Sequence, residues 1–154
     1  SEKCVSLINQ LTQAAEAVIF IQHTEAGGLE EGSEGFALLP DLNQPAGAFY
    51  VTKTACDAFY DTSLEALLRE QEIDEFIICG CATDYCVDAT FKNGVSRGYH
   101  ITVAEDAHTT ANRPAADAQV LIAHYNDVWR NFIAPANPPS VKRTETILEN
   151  WKAN

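Results

Sequence analysis

The 154-residue sequence has no apolar run long enough to cross a bilayer, and no basic-then-apolar leader opens it. The expectation is a soluble, cytoplasmic protein with no membrane partner. Positive charge is scarce. Ten Lys and Arg stand against 22 Asp and Glu, for a net charge of −12. No basic stripe is available to neutralise phosphates, so nucleic acid is not an expected partner. The surplus acid reads as a solubilising surface. No G-x-G-x-x-G follows an apolar run, which weighs against a dinucleotide site. Internal repeats and low-complexity tracts are missing as well. The five cysteines (Cys4, Cys56, Cys79, Cys81 and Cys86) are odd in number and contain no second paired cluster. That argues against a disulfide framework and a structural zinc, and for reduced thiols.

Hydrophobic residues make up 46% of the chain, enough for one packed core at this length. Val5, Ile8, Leu11 and Ala15 recur at helical spacing in the first segment. "AVIFIQ" (17–22) is a short apolar run that suits a buried parallel strand. Residues 24–47 hold five glycines and two prolines, and read as a long functional loop. "AFYVTK" (48–53) is the second strand. "DTSLEALLREQE" is a helix with Leu64, Leu67 and Leu68 on one face. "EFIICGC" is the third strand, and "CVDATFKNGVSRG" a helix ending at Gly98. "HITVAED" is the fourth strand. "RPAADAQVLIAHYNDVWRNFI" is a long helix with a proline near its start. The tail reads as a short edge strand and one helical turn. Alternating strands and helices predict an α/β domain: a mostly parallel sheet in a three-layer α/β/α arrangement.

The chemistry concentrates at "IICGCATDYC". Ligands of open α/β sheets bind at the carboxyl ends of the strands, and Cys86 lies just past such an end, opening a helix. Unpaired N–H groups and the positive end of the helix dipole favour a thiolate there. The same amides can stabilise an oxyanion. The plain alternative is a buried, inert cysteine at a strand–helix junction. Lys53, at the end of the preceding strand, is the candidate cation to accompany the thiolate; the plain alternative is a solvated surface charge. Asp57 and Asp84 are nearby acids, with Asp84 reading best as a helix cap.

These segments, together with "HTEAGGLEEGSEGFALLPDL", "VTKTACDAFYDTSLEALL" and "GYHITVAEDAHTT", resemble the isochorismatase-like cysteine hydrolases, a superfamily that includes nicotinamidases and N-carbamoylsarcosine amidases. The resemblance implies an Asp–Lys–Cys triad in which Cys86 is the nucleophile and Lys53 the lysine. It also implies a cis Cys81–Ala82 peptide and an oxyanion hole formed by the Ala82 and Cys86 amides. The implied reaction is hydrolysis of a C–N bond in a small amide, imide or ureido substrate through a thioester. An ether hydrolase acting on isochorismate and an inactive interaction domain are the alternatives. His23, Phe59, Tyr60, Tyr85 and His108 are candidate substrate contacts, each with an equally ordinary structural reading. The metal-binding branch of the superfamily carries Asp-x-His after the second strand, where this sequence has only His23, so no metal or other cofactor is expected. Homodimers or homotetramers are common among such proteins.

The sequence departs from that pattern at its front. The superfamily's aspartate follows its first strand, typically as D-x-Q, and this sequence opens on a helix instead. "DLNQ" (41–44) lies in the long loop and is a poor substitute. The expectation is a single domain spanning 1–154 that lacks the first, central strand and the triad aspartate, a deficit of about 15–25 residues.

Overall fold

The structure is a computed structural model that describes residues 1–153. It begins with α1 (Glu2–Ala14), followed by β1 (Ile19–His23) and β2 (Phe49–Lys53). Next come α2 (Leu64–Glu70), β3 (Glu75–Cys81), α3 (Asp88–Ser96) and β4 (His100–Thr109). The chain closes with α4 (Ala118–Arg130), β5 (Ser140–Lys142) and α5 (Thr144–Lys152). Every strand pairing is parallel.

The strands form two half-sheets rather than one sheet. β1 pairs with β2 in an unbroken register that ends with His23 opposite Lys53. The other half-sheet runs β3-β4-β5. Within the described residues, β1 and β3 are each laddered on one side only. Each of these strands therefore has one open edge within the described residues.

Helices cover both faces. Leu11 of α1 and Ile147 of α5 pack on Ala104 and Ala107 of β4. On the opposite face, Phe91 and Val95 of α3 and Trp129 of α4 pack on Ile101 and Val103. A third cluster joins Leu64 and Leu68 of α2 to Val51 and Phe59. The arrangement is the expected α/β/α layering. No helix among the described residues is long and apolar enough to cross a membrane.

Three local details differ from the sequence reading. α4 starts at Ala118, four residues after Pro114, because the Ala118 amide donates to Asn112 Oδ1 at 2.9 Å and holds the preceding segment outside the helix. α5 runs nine residues rather than one turn. Its start is fixed by Asp106, whose Oδ1 accepts from the Thr144 amide at 2.9 Å and from its hydroxyl at 2.7 Å. β4 reaches Thr109, three residues further than expected, because it leaves and rejoins β3: Ile78 pairs with Val103, but Gly80 pairs with His108.

Candidate active site

At that irregularity β3 turns toward the site. Gly80 adopts φ +114°, a conformation costly for any residue with a Cβ. The Cys81–Ala82 peptide is cis, as the resemblance implied. The chain then makes a single π-helical turn over Thr83–Val87, with the Val87 amide donating to the Ala82 carbonyl at 3.1 Å. α3 follows without a break. Cys86 therefore sits in a widened first turn, not in the α-helical start the sequence suggested, and it is half-buried.

Lys53 is not a solvated surface charge. It is 4% exposed, and its ammonium donates to the Ala55 carbonyl at 2.8 Å, to His23 Nδ1 at 3.0 Å and to Cys86 Sγ at 3.2 Å. An ammonium has three donors and no acceptor, so its donor set is used in full. His23 Nδ1 must therefore accept, which puts the ring proton on Nε2, 3.8 Å from Glu25 Oε1. No ion pair among the described residues includes Lys53. A buried cation without a carboxylate is costly unless another anion faces it. Facing the ammonium is the sulfur of Cys86.

Two other thiols flank Cys86. Cys56 is exposed; burial first, and then the adjoining Cys86, push its thiol above the ordinary range. Cys81 is raised by burial and then by Cys86. Cys79, on β3, is pushed up to about 12 by burial. Among the described residues no cluster of three or more His, Cys, Asp or Glu side chains is arranged to hold a metal ion.

The remaining sequence candidates separate. His23 joins the Lys53 cluster. Phe59 lies in the core, stacked on Tyr99 with centroids 5.6 Å apart, so it is a packing residue rather than a pocket wall. His108 is 3% exposed and faces Trp129 edge-on. Its Nδ1 accepts from the Thr83 hydroxyl at 2.7 Å and its Nε2 donates to Asn126 Oδ1 at 2.8 Å. The Asn126 amide is oriented by its own donation to the Glu105 carbonyl. Desolvation holds His108 below the usual histidine range. His108 thus supports the turn from behind instead of lining a pocket. Tyr60 and Tyr85 are exposed.

Asp84 is not a helix cap. It accepts from the Thr110 hydroxyl at 2.6 Å and from Arg113 at 2.9 and 3.2 Å, and the Arg113 hydrogen bond holds its carboxyl below the usual range. Arg113 also lies over the Tyr85 ring at 4.7 Å. This clamp ties the Cys86 turn to the segment after β4. Arg113, Thr110 and Asn126 are the functional-site residues the sequence reading missed, because nothing local to them marks a partner 18 to 29 residues away. Asp57 spans Asn93 and the Phe59 amide and does not reach Lys53 as a salt bridge.

Comparison with known proteins identifies the family and the fold. The chain is 26% identical to the isochorismatase family protein YddQ of Bacillus subtilis over 97% of its length and 84% of that protein's. It is 37% identical to the nicotinamidase of Escherichia coli over 57% of its own length and 47% of that enzyme's. A crystal structure of an isochorismatase family protein superposes with a TM-score of 0.80 at 28% identity, covering 92% of this chain and 81% of that one. The sequence profile of the isochorismatase domain matches residues 1–130, well over half of the chain. The chain belongs to the isochorismatase family of hydrolases.

Proposed function

We propose that the protein hydrolyses the C–N bond of a small amide, imide or ureido substrate, with Cys86 as the nucleophile. The observation that carries this reading is the buried Lys53 ammonium 3.2 Å from Cys86 Sγ. A cation at that distance stabilises negative charge on sulfur. The thiolate attacks the carbonyl carbon, a C–S bond forms, and the oxyanion rests on the Ala82 and Cys86 amides. The C–N bond breaks as the leaving nitrogen takes a proton, and water then hydrolyses the thioester. Lys53 keeps the charged groups in place throughout.

The proton carrier in this scheme is an aspartate on an additional strand next to β1 and β3. The two half-sheets, laddered on one side at each of those strands, support that placement. Two open grooves on the described surface, one along Glu65 and Arg97 and one along α1, do not include Cys86. In this reading a second copy of the chain, in a homodimer or homotetramer, completes the walls around the substrate.

The absence of a carboxylate paired with Lys53 among the described residues favours a second reading, an interaction domain without turnover. Ammonia release across a panel of small amides decides between them. Turnover by the wild type that disappears in Cys86→Ala supports hydrolysis; equal rates in both proteins defeat the assignment of Cys86.

A further inference from the structure

A second cysteine, Cys56, lies next to a residue that shares the Lys53 ammonium with Cys86. Cys56 lies in the irregular segment 54–63, between β2 and α2. That segment is fastened to the helix that carries Cys86. Thr90 and Asn93 lie in α3, which continues directly from the π-helical turn that holds Cys86. The Thr90 hydroxyl accepts from the Ala58 amide at 3.0 Å, and the Asn93 amide donates to Asp57. At the Cys86 end of the same element, the Lys53 ammonium joins the Ala55 carbonyl to Cys86 Sγ. Residues 55, 57 and 58 are thus each tied to this element, directly or through Lys53, and Cys56 lies between them in the chain. Cys56 directly follows Ala55, whose carbonyl shares the Lys53 ammonium with the Cys86 sulfur, at 2.8 and 3.2 Å.

The two cysteines differ in the way a redox pair requires. Cys86 receives a hydrogen bond from a buried ammonium, which favours the nucleophilic form. Cys56 is exposed and has no ladder or helix to restrain it. Nothing in the hydrolytic scheme uses Cys56. A second thiol beside a nucleophilic one is the arrangement that captures a sulfenic acid before it oxidises further.

We propose that Cys56 and Cys86 form a reversible disulfide when the protein meets a peroxide, with Cys86 the oxidised residue and Cys56 the resolving one. The Cys86 thiolate attacks one peroxide oxygen, the O–O bond breaks, and hydroxide leaves. Cys86 is then a sulfenic acid. The Cys56 sulfur attacks the Cys86 sulfur, the S–O bond breaks, and the S–S bond forms. In sum, two thiols lose two hydrogens and one peroxide becomes two waters. A dithiol reductant reverses the change. While the bond stands, Cys86 is unavailable to any electrophile, so the pair also shields it from irreversible over-oxidation.

The test is peptide mapping of the full chain after stoichiometric hydrogen peroxide, without reductant. The expected product is one intramolecular disulfide joining the peptides of Cys56 and Cys86, with a mass loss of about 2 Da, reversed by dithiothreitol. In Cys56→Ser, Cys86 should instead be trapped by dimedone as a sulfenic acid and pass on to the sulfinic acid at higher peroxide. A Cys81–Cys86 disulfide in the wild type would overturn the assignment of Cys56. So would an unmodified Cys86, or equal over-oxidation of Cys86 in wild type and Cys56→Ser. The readouts are masses, so a failure here stays distinct from a failure of the hydrolase reading, which is judged by ammonia release.

Discussion

Lys53 and Cys86 are 33 positions apart in the chain, yet the ammonium of one lies 3.2 Å from the sulfur of the other. The contact joins the end of β2 to the turn after β3, which belong to separate half-sheets. Lys53→Met keeps the length and apolar stem of the side chain and removes only the charge. We expect a loss of at least about 100-fold in Cys86 alkylation rate at neutral pH, or in amide turnover, given the size of single electrostatic contributions at such sites. An alkylation rate within a few-fold of the wild type would show that the ammonium does not act on the sulfur.

His23 is the acceptor for a buried charge. His23→Leu leaves one Lys53 donor without a partner, and an unpaired buried polar group costs about 1–3 kcal/mol. The urea midpoint should fall accordingly. His23→Gln, whose carbonyl can accept, should recover part of the loss.

Acid should weaken the fold through His108. Its folded-state affinity for protons lies below the usual histidine value because burial penalises the cation. The unfolded chain takes up that proton at about pH 6.5, before the folded chain does. Stability from this group is therefore complete above that pH and declines as pH falls from there toward the lower folded value. In a urea series between pH 7.5 and 5.5, His108→Gln should show a smaller loss than the wild type. Parallel curves would rule out this linkage.

Asp84 acts in a different window. Arg113 holds its carboxyl below the ordinary range, so its contribution is present above about pH 3.9 and vanishes as pH drops through the folded value. Asp84→Asn should remove the bidentate charge pair at neutral pH and loosen the turn that carries Cys86. We expect a lower thermal midpoint and slower Cys86 alkylation together. A change in the midpoint alone would mean that the clamp stabilises the fold without positioning the nucleophile.

Trp129 anchors the core. It is fully buried, packs on Phe91 and His108, and donates to Asp88 Oδ1 at 2.9 Å. Trp129→Ala should cost about 3–5 kcal/mol, the range for removing a large buried aromatic. Guanidinium unfolding would check it. Trp129→Phe should cost less, although Asp88 then loses a donor.

Much of this protein could be read from the order of its residues, because the relevant signals are local. Apolar runs such as "FIIC" and helical spacing such as Leu64, Leu67 and Leu68 marked every observed strand, although β4 runs three residues further, and the helices α1 to α4, although α4 starts five residues later and α5 is longer than the single turn expected. The small residues and cysteine of "GCATDYC" marked the turn that holds Cys86, and the resemblance it carries led to the family. What the sequence could not decide was which distant groups meet. Lys53 at a strand end reads equally as surface charge, and only the packing of 53 to 55 against the Cys86 turn buries it. His108 and Phe59 look like pocket residues in one dimension, but pairing with Asn126 and stacking on Tyr99 place them inside. Asp84 reads as a cap until Arg113 arrives from the far side of β4. Hydrophobic periodicity is a property of neighbours along the chain, whereas burial of a charge and choice of its partner depend on contacts made only once the layers have packed.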